Sequence, residues 1–76
     1  MYKRKIKQLL NDWLIEHYEE PGEALNYWKK LSKTETLDGR TVWIYQNTAW
    51  LITFSIILDG DELYIYEYME ITQKAH

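Results

Sequence analysis

The start of the chain carries apolar residues at helical spacing. Ile6, Leu9, Leu10, Trp13, Leu14 and His17 fall at i, i+3, i+4, i+7, i+8 and i+11, which is one face of a helix. Lys7, Gln8, Asn11, Asp12, Glu16 and Glu19 occupy much of the rest. The pattern predicts an amphipathic helix over residues 3–19. It should stop near Glu20, because Pro21 disfavours helical geometry at the residue before it and Gly22 follows. Ala24, Leu25, Trp28 and Leu31 continue at similar spacing and predict a shorter second helix over residues 22–31, with Pro21 in its first turn.

From Ser32 the period drops toward two. Residues 33–37 alternate as Lys-Thr-Glu-Thr-Leu, and Asp38-Gly39 is a strong hairpin signal for a type I′ turn. Residues 41–46 form the next predicted strand. Asn47-Thr48 is a plausible turn, and residues 49–58 follow as a third strand. Asp59-Gly60 repeats the hairpin signal before a fourth strand over residues 62–72. The expected fold is therefore one α+β domain spanning residues 1–76. Two N-terminal helices pack on one face of a four-stranded antiparallel β-meander, in the order ααββββ.

Hairpin loops fix which side chains share a face. A two-residue loop at Asp59-Gly60 sets Leu58 opposite Asp61, Ile56 opposite Leu63, Phe54 opposite Ile65 and Trp50 opposite Met69. The core face then holds Trp43, Tyr45, Trp50, Ile52, Phe54, Ile56, Leu58, Leu63, Ile65, Met69 and Ile71. Glu67 falls on the same face. As an edge-strand carboxylate it can reach water or pair with His17 or a base of the first helical turn, and inward charge there discourages sheet-to-sheet association.

The opposite face should be polar if it meets water. Instead it carries Val42, Ile44, Leu51, Thr53, Ser55 and Ile57, with Tyr64, Tyr66 and Tyr68 alongside. Lys33, Glu35, Glu62 and Glu70 are expected at its margins. A tyrosine ladder that shields its own sheet is the plainer explanation. An interface is the sharper one, because two helices cannot cover both faces and the patch exceeds what a monomer usually exposes.

Composition and charge narrow the function classes. Four Trp, seven Tyr and one Phe in 76 residues, with 46% hydrophobic residues, exclude a disordered chain. No cysteine is present, so neither a disulfide nor a thiolate site can form. The net charge of −3 hides an asymmetry: Lys3, Arg4, Lys5 and Lys7 lie in the first seven residues with no acid among them. A basic tip on an acidic body is a candidate nucleic-acid contact, and it is also what a solvated first helical turn looks like. The basic start is followed by Ile6, Lys7 and Gln8 and charge returns at Asp12, so no apolar core of a signal peptide is expected, and the ten-residue run 49–58 is too short to span a bilayer as a helix. A cytoplasmic protein with no membrane association is expected.

Catalytic chemistry finds little to work with. His17 belongs to the helix stripe and His76 is the last residue, so neither suggests a metal centre. Asp59, Asp61 and Glu62 form an acidic cluster, but hairpin tips favour Asp and Gly on conformational grounds alone. Gly22, Gly39 and Gly60 are isolated turn residues rather than a phosphate-cradling loop. No enzyme activity, catalytic residue, metal or cofactor is expected. The leading expectation is a non-enzymatic, accessory or regulatory interaction module. It would bind a protein partner, or itself as a homodimer, through Val42, Ile44, Leu51, Thr53, Ile57, Tyr64, Tyr66 and Tyr68. The second is a nucleic-acid-associated regulator using Lys3, Arg4, Lys5 and Lys7. The third is a small-ligand binder with its pocket between helices and sheet.

Overall fold

In a computed structural model describing residues 2–67, the first apolar stripe folds into helix α1 (Lys3–His17). Ile6, Leu10 and Leu14 lie one helical turn apart and are buried. Leu9 and Trp13 flank them half-buried. The helix ends where Tyr18 turns extended, its N–H still donating to the Leu14 carbonyl.

The predicted second helix is not formed. A short 3-10 turn (Gly22–Asn26) takes its first half. The second half belongs to strand β1 (Trp28–Glu35), which begins well before the sequence pattern suggests. Apolar residues at 25, 28 and 31 fit a helical period, and short runs of this kind do not separate helix from strand. Strand β1 also disguises its own alternation. Lys30 pairs with Tyr45 and Ser32 with Ile44, so Leu31 is an extra residue, a β-bulge. Pairing along β1 gives these backbone groups sheet partners that a helix over residues 22–31 would leave unmade on the facing strand.

The remaining strands are β2 (Thr41–Asn47), β3 (Ile52–Asp59) and β4 (Glu62–Glu67). All neighbours are antiparallel and the spatial order is β1-β2-β3-β4, the expected meander. The turns differ in detail from the sequence reading. Between β3 and β4 the pair Asp59–Glu62 encloses Gly60-Asp61, with positive φ at Gly60 (69°) but not at Asp61, the II′ pattern. Pairs therefore shift by two residues, Ile56 meeting Ile65, and every side chain keeps its expected face. Between β2 and β3 the turn is Thr48–Leu51 rather than Asn47-Thr48, since Asn47 pairs with Ile52. That shift is also even. It removes Ala49, Trp50 and Leu51 from the third strand and takes Trp50 out of the expected core, exposed in the turn with its ring edge-on to Tyr18 at 4.7 Å.

The first hairpin shifts by an odd number. Thr36 N–H donates to the Arg40 carbonyl and Gly39 N–H to the Thr36 carbonyl, leaving the three-residue loop Leu37-Asp38-Gly39. Only Gly39 among them has positive φ (88°), so this is a turn followed by a left-handed glycine, not type I′. Thr36 Oγ1 and the Arg40 guanidinium both hold the Asp38 carboxylate, keeping its pKa below the usual carboxylate range. One residue of slip turns Lys33 and Glu35 from the expected outer face to the helix side.

The core lies between α1 and the inner face of β2 and β3. Ile6, Leu10 and Leu14 meet Trp43, Tyr45, Phe54 and Ile56, with Ala24 closing one end. Trp13 sits edge-on to Phe54 at 4.8 Å, and the Trp28 indole N–H donates to Asn11 Oδ1 at 2.9 Å, tying β1 to the helix. Glu67 pairs with Phe54 on the inner side of the edge strand and is exposed. His17 is exposed, stacked on Trp13 at 3.8 Å with Nδ1 3.0 Å from the Trp13 carbonyl. The expected strand residues Tyr68, Met69, Glu70 and Ile71, and His76, lie outside the described residues.

Candidate functional site

Two surfaces stand out, one on each side of the sheet. On the outer side, pairing sets Thr34, Val42, Ile57 and Tyr64 in one row and Ser32, Ile44, Ser55 and Tyr66 in the next. Gln46 and Thr53 begin a third. Val42, Ile44, Thr53 and Ile57 are half-buried by their neighbours in the sheet, while Tyr64 and Tyr66 are exposed. Among the described residues no helix lies over this face. Tyr64 donates its hydroxyl to Glu62 at 2.9 Å, which raises its pKa above the usual phenol value.

The structure thus brings together Val42, Ile44, Thr53, Ile57, Tyr64 and Tyr66 as expected. It does not bring Leu51. Leu51 sits in the β2–β3 turn with φ 58° and is 75% exposed, left-handed because its N–H closes the turn onto the Asn47 carbonyl at 2.7 Å. Tyr68 lies outside the described residues. The margins also differ: Lys29, not Lys33, sits at one corner of the face, with Asp59 and Glu62 at the diagonally opposite one.

The inner side holds the second surface. Between the first turns of α1 and strand β1 opens a groove of about 470 Å³. Lys3 and Lys7, one helical turn apart, line it from α1, and Lys30 and Lys33 line it from β1. Tyr2 and Trp28 flank it, and the largely buried Trp43 and Tyr45 rings form its floor. Lys33 Nζ lies 5.9 Å from the Trp43 ring centroid, within cation–π range. Burial raises the Tyr45 pKa above the ordinary phenol value. Arg4 and Lys5, expected to act with Lys3 and Lys7, point elsewhere and are exposed.

Lys30 and Lys33 are three residues apart on a strand, where strict alternation would place them on opposite faces. The Leu31 bulge brings both to the same side. Sequence reading missed the groove because it placed Lys30 in a helix and Lys33 on the outer face. The signal present was the acid-free run Trp28–Thr34, with Lys29, Lys30 and Lys33, as a partner for the basic helix start.

A third feature is structural. Asn47 is completely buried. Its Nδ2 donates to the Ala24 carbonyl at 2.6 Å, and its Oδ1 accepts from the Ala49 and Trp50 N–H groups at 3.1 Å each. It joins the 3-10 turn to the β2–β3 turn.

Among the described residues no group of three or more His, Asp or Glu is placed to hold a metal ion, and no helix is long and apolar enough to cross a membrane. No protein-family model, curated protein or solved structure matches the chain.

Proposed function

We propose that this chain is a small non-catalytic interaction module, accessory or regulatory in role, that binds protein through the outer face of its sheet. The occupant we assign is a second copy of the chain. The observation that carries the reading is the pair of rows Val42–Ile57–Tyr64 and Ile44–Ser55–Tyr66, apolar or aromatic for most of their length, with no helix above them.

Two features favour self-association by this face. Lys29 and Glu62 mark opposite corners, on the two edge strands. A two-fold that exchanges the corners sets the lysine of one copy over the carboxylate of the other, as an isologous contact requires. Edge-to-edge pairing is disfavoured, because β1 carries three lysines and a bulge and β4 ends in Glu62 and Glu67. A cytoplasmic setting suits a chain without cysteine.

Sedimentation at micromolar concentration tests this. Wild type should run as a dimer. Tyr66→Lys, which sets a charge inside the patch, should run as a monomer with unchanged circular dichroism. A wild type that stays monomeric at the highest soluble concentration overturns the assignment of a second copy.

A further inference from the structure

We infer that the groove between α1 and β1 is a binding site for a nucleotide unit, its phosphates held by Lys3, Lys7, Lys30 and Lys33 and its base set against Tyr2 and Trp28. The inference is independent of the outer face, which lies on the other side of the sheet.

Four observations support it. The first is charge. A chain of net charge −3 lines one cavity with four lysines and no carboxylate. Glu35, two residues beyond Lys33 on the same side of β1, does not line it. Among the described residues the one ion pair is Arg40–Asp38, so none of the four ammonium groups is neutralised by a carboxylate there. Four like charges facing a shared space repel one another, and an anion between them removes that repulsion.

The second is local cost. Helix α1 opens on Lys3, Arg4 and Lys5 with no acid in its first turn and no side-chain cap on Tyr2. Cations at this end oppose the helix dipole, and the uncapped N–H groups favour a negative ligand. The β-bulge at Leu31, which turns Trp28 inward onto Asn11 and Phe54, also sets Lys30 on the side of Lys33, so the contact that seats β1 on the helix gathers the cations as well.

The third is the mixture of chemistries. Phosphates alone would be served by lysines on any surface. Here the lysines ring half-buried aromatic side chains, Tyr2 and Trp28, with Trp43 beneath. Rings flanked by cations are what a planar base attached to a phosphate needs. The fourth is size: about 470 Å³ lies within the range of small-molecule and cofactor sites and matches one nucleotide rather than a duplex.

The nucleotide could be free or part of a single strand, and the test separates these sources. Binding to the full chain is followed by tryptophan fluorescence with ATP, with tripolyphosphate, and with an oligothymidylate roughly eight nucleotides long, the span of a typical single-strand site. ATP should bind, and more tightly than tripolyphosphate. The Lys30→Ala/Lys33→Ala pair should weaken ATP about tenfold or more, while Arg4→Ala/Lys5→Ala, an identical change in charge outside the groove, should alter it less than about twofold. Circular dichroism checks both pairs for folding, and Lys3→Gln replaces the β1 pair if that pair unfolds. An oligonucleotide that binds tighter than ATP, with a steep salt dependence lost in the groove variant, identifies a strand as the source; weaker binding identifies a free nucleotide. Absence of binding to both, equal losses in the two double variants, or tripolyphosphate binding as tightly as ATP each overturns the inference.

Discussion

Both faces of the sheet carry apolar and aromatic side chains and treat them differently. The inner face sets Phe54 and Ile56 fully out of solvent beneath Leu10 and Leu14. The outer face holds Ile57, Ile44 and Val42 only half-buried, with Tyr64 and Tyr66 exposed beside them. What separates them is a single helix, which packs on the inner side alone. Folding stability therefore concentrates on the inner face, and association is assigned to the outer one. The basic groove lies where the helix stops covering β1, at the margin of the inner side.

The sharpest way to break this contrast is to cut one aromatic on each face. Phe54→Ala should cost about 3–5 kcal/mol, enough to unfold much of so small a domain. Tyr66→Ala should leave a folded domain and reduce association. Chemical denaturation of both variants, at a concentration where wild type is monomeric, gives the answer, and equal losses would dissolve the distinction between the faces. Asn47→Ala comes next. It strands the Ala24 carbonyl and two turn N–H groups, and should cost about 2–3 kcal/mol by the same assay. A loss near zero would show that the two turns hold without their bridge.

The smallest effect sharpens the comparison between two tyrosines. Tyr45 inside and Tyr64 outside both have raised pKa values, the first through burial and the second through its bond to the Glu62 carboxylate. A raised folded-state pKa contributes stability that is present below the unfolded value near 10 and is lost as pH rises through the folded value. Melting temperature should therefore fall from pH ~9 to ~11. Tyr45→Phe should flatten that fall, whereas Tyr64→Phe should change it little because solvent screens an exposed pair. Equal flattening by the two would mean the outer face is as sheltered as the inner one.

How much of this was legible depended on parity. For β2, β3 and β4 the turns differ from those expected, yet both shifts are even, so Trp43, Tyr45, Phe54, Leu63 and Ile65 kept their faces. A period of two is insensitive to that kind of error. Strand β1 met two odd shifts, the three-residue loop at Leu37-Asp38-Gly39 and the bulge at Leu31, and neither leaves a mark in hydrophobic periodicity. The candidate outer face was therefore readable, apart from Leu51, whose left-handed backbone belongs to a turn held by Asn47. The groove was not, since it depends on those odd shifts. Asn47 itself reads in sequence as an ordinary turn residue. Its burial follows from three-dimensional closure between segments more than twenty residues apart.

The bulge at Leu31 also bears on how such a chain can change. Beyond half-buried Trp28, every residue of β1 is exposed. Because Leu31 has no partner across the ladder, its loss straightens β1 and leaves the pairs on either side, Lys30–Tyr45 and Ser32–Ile44, as they are, with Trp28 still against Phe54 at 5.8 Å. In mutational terms the first strand is an editable margin on a fixed core. A one-residue deletion, ruinous in the continuously paired β2 or β3, can here be absorbed while both faces of the sheet persist.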